Sequence, residues 1–140
     1  MKTAVLSVLA LSFAAHAQTT YFVDETASGT GDGLSWDNAF TNLHDAFGSA
    51  GHGDTVRVAQ GTYLPDEGGT PGDRTEFWHY FGGAIEGGYQ GLAAPSVGER
   101  DDRDTTNHPT ILSGDIGTPG DPTDNSFRLI WTQTALECRF

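Results

Sequence analysis

The chain has 140 residues, enough for one domain and short for two, and it sets seven Lys and Arg against nineteen Asp and Glu for a formal net charge of −12. That balance excludes an electrostatic grip on nucleic acid or anionic lipid. A single cysteine, Cys138, rules out an intramolecular disulfide, so stability must come from packing.

The first seventeen residues have the three parts of an export signal in order. Lys2 supplies the positive start, AVLSVLALSFAA the short apolar run, and Ala15-His16-Ala17 the small-residue cleavage site. Cleavage at about Ala17 would leave a mature chain starting at Gln18 and, without Lys2, a formal charge of −12 − 1 = −13. The expected location is secreted or on the outer cell surface. The apolar run is too short for a bilayer and no later segment is longer, so no transmembrane span is expected.

TYFVD (20–24) predicts the first strand. The glycines that follow, Gly29, Gly31 and Gly33, raise the question of a nucleotide loop. Leu34 stands where a dinucleotide fingerprint needs its third glycine, and the chain's one lysine is Lys2, so a phosphate loop is excluded as well. The glycines therefore read as a turn. Next, Trp36, Ala39, Phe40, Leu43, Ala46 and Phe47 recur at three- and four-residue steps, which predicts an amphipathic helix. Ser35 is placed to cap it, Asp37 to sit in its first turn, and Gly48 and Gly51 to stop it.

Short β-branched and aromatic runs then alternate with Gly- and Asp-rich breaks: 55–63, 75–81, 84–89, 110–116 and 126–132 all predict strands. In TVRVA, Val56 and Val58 face one way and Thr55, Arg57 and Ala59 the other, a period of two. Val56 to Ile85 is 29 residues, Ile85 to Ile111 is 26, and Ile111 to Leu129 is 18, a loose repeat without further helices. Stacked coils fit that spacing, and a small antiparallel sandwich gives a similar strand list.

Four blocks carry a resemblance: YFVDETASGTGDGLSWDNAFTNLHDAF, GDTVRVAQGTYLPDEGGTPGDRTEF, GGAIEGGYQG and ERDDRDTTNHPTILSGDIGTPGDPTDNS. Over residues 20–126 the chain resembles the opening of secreted bacterial right-handed parallel β-helix proteins, pectin-lyase-like and polymorphic outer-membrane-protein-like. The resemblance implies a mainly β fold consisting of an N-terminal cap strand and capping helix (18–54), the first β-helix coils (55–126), and an atypical tail (127–140) that reads as truncated or frameshifted. The large rings of the helix would then cover the open end of the stack, whose unpaired edges otherwise invite aggregation. Glu86 departs from the family pattern, which has an apolar residue there.

The same resemblance directs attention to acidic residues on neighbouring coils, often beside Ca²⁺. Asp115, just after the TIL strand, is the best catalytic candidate; Asp115, Asp121 and Asp124 are the Ca²⁺ candidates. Asp101, Asp102 and Asp104 form a second acidic run. Aspartates in Gly-rich breaks also make turns, and that reading is preferred, since no acidic partner for Asp115 is evident. His44, His52, His79 and His108 are scattered without zinc-ligand spacing. Trp78, Tyr80, Tyr89 and Trp131 could stack on sugars, although aromatic residues in strands more often build the core. The expected role is a non-catalytic scaffold for adhesion or recognition of polysaccharide or cell-surface glycan. The alternative is a polysaccharide lyase or glycoside hydrolase of the same architecture. An uncapped C-terminal coil would favour self-association.

Overall fold

A computed structural model describes residues 17–80, 82–132 and 136–139. The expected leader, residues 1–17, lies outside the described residues apart from Ala17. The described chain is mainly β: β1 (Thr20–Val23), α1 (Leu43–Ser49), β2 (Thr55–Ala59), β3 (Gly61–Tyr63), β4 (Trp78–Tyr80), β5 (Gly83–Tyr89), β6 (Thr110–Leu112), β7 (Ile130–Thr132) and β8 (Leu136–Arg139).

The strands form three small sheets, ordered β1-β2-β5-β8, β3-β6 and β4-β7. Every pairing between these strands is parallel. From β2 onward the chain visits the first, second and third sheets in turn, visits them again in the same order, and returns to the first. The antiparallel sandwich weighed from the strand list therefore does not form. The spacing of 29, 26 and 18 residues also compared strands of different sheets. Ile85 pairs with Cys138, whereas Ile111 pairs with Thr62, and the residue after Leu129 opens β7. Cys138 thus belongs to a paired strand.

Parallel register stacks like residues upon each other. Tyr21, Val56 and Ile85 form one file and Val23 and Val58 another, while Phe22, Arg57 and Glu86 line the opposite face. The apolar files join Leu43, Ala46 and Phe47 of α1 with Tyr63, Trp78 and Tyr80 in one core. Trp36, Ala59 and Tyr89, with Phe22 and Leu92 against them, form a second cluster. Ala59 is thus buried as well, so the alternation read in 55–59 marks two covered faces rather than one wet and one dry.

The stretch 55–63, expected as one strand, bends into two. Gln60 donates its backbone N–H to Tyr89 O at 2.7 Å, and Gly61 takes a φ of +149°. That conformation is open to glycine and strained for other residues, so the chain swings from the first sheet into the second there.

The helix is shorter than its apolar spacing predicts. Trp36, Ala39 and Phe40 are buried as expected, but on an extended and turned segment. Phe22 N–H donates to Gly33 O, Phe40 N–H to Phe22 O, and Asp24 N–H to Phe40 O, each at 2.9 Å. Residues 33–40 thereby supply partners to the otherwise unpaired edge of β1, and those bonds win over helix formation. The N-cap is Asn42, whose Oδ1 accepts from Asp45 N at 2.9 Å. Ser35 caps only a local turn, accepting from Asn38 N at 3.2 Å, and Asp37 pairs with Arg100 at 2.8 Å. Gly48 lies inside the helix, which ends at Ser49.

Candidate functional site

The acidic residues singled out from sequence are engaged in local hydrogen bonds. Both carboxylate oxygens of Asp115 accept from Gly120 N, at 3.1 and 2.9 Å. Asn125, with its amide nitrogen turned inward, donates to Asp115 Oδ1 at 3.0 Å and to Asp121 O at 3.3 Å. Asp121 accepts from Thr123 Oγ1 at 2.6 Å and Thr123 N at 2.8 Å, and these bonds hold its carboxyl below the usual aspartate range. Asp124 accepts from Thr118 N at 2.8 Å. The 115–125 loop is thus stitched to itself. Among the described residues no three His, Cys, Asp or Glu side chains converge as metal ligands.

The run at 99–104 is a clasp over one face of β2 and β5. Asp101 Oδ1 accepts from Trp36 Nε1 and from Arg57, both at 3.1 Å. Arg103 donates to Gly87 O at 2.7 Å, and its guanidinium stands 5.9 Å from the centre of the Tyr89 ring. Glu86, opposite Arg57 in register, makes an ion pair with it at 3.7 Å and accepts from Tyr89 Oη at 2.8 Å. Glu86 therefore sits on the clasped face, away from the apolar file. Burial, then the bond to Glu86, pushes the Tyr89 hydroxyl up to about 12. Asp104 serves its own turn, accepting from Asn107 Nδ2 at 2.6 Å and from Thr106 N at 2.9 Å. The side chain of Asp102 is exposed, and its backbone oxygen accepts from Gln90 N at 3.1 Å.

Two aspartates that the sequence did not mark carry more structural weight. Asp24 and Asp54 are each 3% exposed. Asp24 accepts from Thr26 N, Thr26 Oγ1 and Leu92 N. Asp54 accepts from Thr19 N and Gly51 N, both at 2.8 Å. Their signal in the sequence is an aspartate flanking a β-branched strand, in FVD and GDTV, where a carboxylate can satisfy the amides of a turn.

An open groove of about 350 Å³ lies where β3 and β6 pair, lined by Glu25, Gln60, Gly61, Thr62, Pro109 and Ile111. Thr62 and Ile111 are register partners, and both are exposed. His108 Nδ1 lies 3.2 Å from Gln60 Oε1 and steadies that amide at the groove's end. Hydroxyl, amide and carboxylate groups beside two apolar residues can hydrogen-bond a hydroxyl-rich ligand and cover its C–H surface. Among the described residues Glu25 is the one carboxylate in the lining, whereas glycoside hydrolysis ordinarily needs two on either side of the bond. Sequence reasoning missed these residues because they converge only through the bend at Gly61.

The scattered histidines stay apart: His44 Nε2 contacts Pro65 O at 2.6 Å, His52 is exposed, and His79 packs against Phe77 and Trp131. Of the four aromatic residues considered for sugar stacking, Trp78, Tyr80 and Tyr89 are core, while Trp131 is 41% exposed. Compared with known proteins, the chain matches no family model, no curated protein and no solved structure.

Proposed function

We propose that this chain is the cap and first coils of an exported, right-handed parallel β-helix that recognises glycan without cleaving it. The observation that carries this reading is the order of the strands: parallel pairs, visited sheet by sheet and then again in the same sequence. The backbone bonds of residues 33–40 to β1, with α1 packed on β4, support closure of the N-terminal end. The groove at β3 and β6 supports recognition rather than hydrolysis, since among the described residues Glu25 has no second carboxylate beside it in the lining. Among the described residues β6, β7 and β8 each pair on one side, which supports edge-to-edge association of the 140-residue chain. Light scattering showing monomers alone at high concentration would remove that last point.

The test is to titrate the mature chain from Gln18 with a panel of neutral and acidic polysaccharides while assaying for new reducing ends and unsaturated products. Expected are saturable binding weakened by Thr62→Arg, which fills the groove, and no product. Product formation abolished by Asp115→Ala or Glu25→Gln would overturn the recognition reading in favour of a lyase or hydrolase.

A further inference from the structure

The outer face of β4 and β7 carries a file of rings and guanidinium groups that the groove does not use. His79 and Trp131, partners in register, have ring centres 5.7 Å apart, and Phe77 stacks 4.4 Å from His79. The Arg128 guanidinium lies 5.1 Å from the centre of Phe77, and that of Arg74 lies 4.3 Å from the centre of Phe127. Trp131 is 41% exposed and Phe127 67%, large apolar surfaces to leave in water.

Arg128 is exposed on this face, and Asp121 is the carboxylate that feels the charge of Arg74. Arg57 and Arg100 are each held by a carboxylate, whereas no described carboxylate lies within ion-pair distance of Arg74 or Arg128. At physiological salt, charges are screened beyond about 8 Å. A bound group beside Arg128 therefore responds to that guanidinium more than to distant carboxylates of the net −12.

We infer that this face binds a sulfated glycan, with a sugar ring against Trp131 and a sulfate ester on Arg128. Guanidinium groups pair bidentately with planar or tetrahedral oxyanions, and a stacked guanidinium has already shed water from one side. Its best partner is an oxyanion that also gives up water readily, a sulfate ester before a carboxylate. The exposed ring supplies the C–H stacking that fixes a sugar rather than a free ion. Arg74, whose Nε donates to Asn125 O at 2.7 Å, holds Phe127 and the neighbouring loop in place beside the site.

This inference rests on the glycan-recognition reading but is separable from it. The mature chain would be titrated with a sulfated galactan free of uronic acid, with the same polymer chemically desulfated, and with polygalacturonate. The expected result is saturable binding to the sulfated polymer, weakened about tenfold by desulfation and about tenfold each by Trp131→Ala and Arg128→Gln. Both side chains are exposed, and circular dichroism with melting would confirm that each variant folds. Equal binding of the sulfated and desulfated polymers, or of polygalacturonate and the sulfated polymer, would overturn the inference. So would folded Trp131 and Arg128 variants that bind unchanged. Binding lost only on Thr62→Arg would overturn this site and leave the groove standing; failure to bind any glycan would remove both.

Discussion

Asp24 Oδ2 accepts the backbone N–H of Leu92, sixty-eight positions away, at 2.8 Å, while its Oδ1 holds both the amide and the hydroxyl of Thr26. One buried carboxylate thus ties the end of β1 to the turn that follows β5. Asp24→Ala is expected to cost about 1–3 kcal/mol, because it removes charge-assisted bonds from a buried carboxylate to the part-buried amides of Thr26 and Leu92. Urea unfolding measures this. A loss within error would show that the bond does not anchor the turn.

Phe47 is 1% exposed and its ring lies 4.8 Å from Tyr80 and 6.4 Å from Trp78. Phe47→Ala should destabilise by about 3–5 kcal/mol, the usual cost of a large buried ring. Asn42→Ala, which removes the N-cap and the exposed bond from Asn42 Nδ2 to Asp45, should cost about 1 kcal/mol. Phe40→Asp places a charge in the core and should lower the melting temperature at least as far as Phe47→Ala. Equal effects for the cap and ring variants in thermal melts would contradict the packing assigned to α1.

Acid should unfold the molecule through its turns. The carboxyl of Asp104 is held below the usual range by the Asn107 side chain, then by the amides of Asn107 and Thr106. Thr123 does the same for Asp121, and Thr75 for Asp73. A depressed folded value means that the stabilisation is present above the unfolded pKa, near 3.9, and is lost as pH falls through the lower folded value. Melting temperature should therefore decline below about pH 4. Asp104→Asn should show a shallower decline, and an unaltered slope would argue against the turn's contribution.

Alkali acts with the opposite sign. Burial raises the Tyr63 hydroxyl far above the ordinary tyrosine value, and burial with the Glu86 bond raises Tyr89 to about 12. Stability from these groups is complete below about pH 10 and declines as pH rises through the folded values. Absorbance at 295 nm should show Tyr63 and Tyr89 ionising late, or only on unfolding. Titration of all four tyrosines near pH 10 would contradict their burial.

Much of the strand content was legible because short β-branched runs between Gly and Asp breaks leave few other options. The carboxylates of 115–124 were also legible as turn-makers, since aspartate beside glycine tends to bond its own backbone. The start of α1 was not. Trp36, Ala39 and Phe40 have helical spacing, but the free edge of β1 offers their backbone better partners, and spacing cannot register a competitor elsewhere in the chain. The division between β2 and β3 was hidden for a similar reason. Val58, Ala59 and Tyr63 look continuous in sequence, and the turn at Gly61 is set by Gln60 bonding to Tyr89. The groove inherits that blindness, because Glu25, Thr62 and Ile111 meet only after the bend.

The intervals between paired residues are unequal: 29 from Val56 to Ile85, 49 from Gly61 to Thr110, and 52 from Trp78 to Ile130. Each extra stretch leaves one sheet and the chain rejoins it in parallel register, so the number of residues between ladder partners is decoupled from the spacing of the strands. Insertions and deletions in those stretches can accumulate without moving any strand off its neighbour. Kinship among chains built this way is therefore better sought by matching ladder partners than by searching for a fixed sequence period.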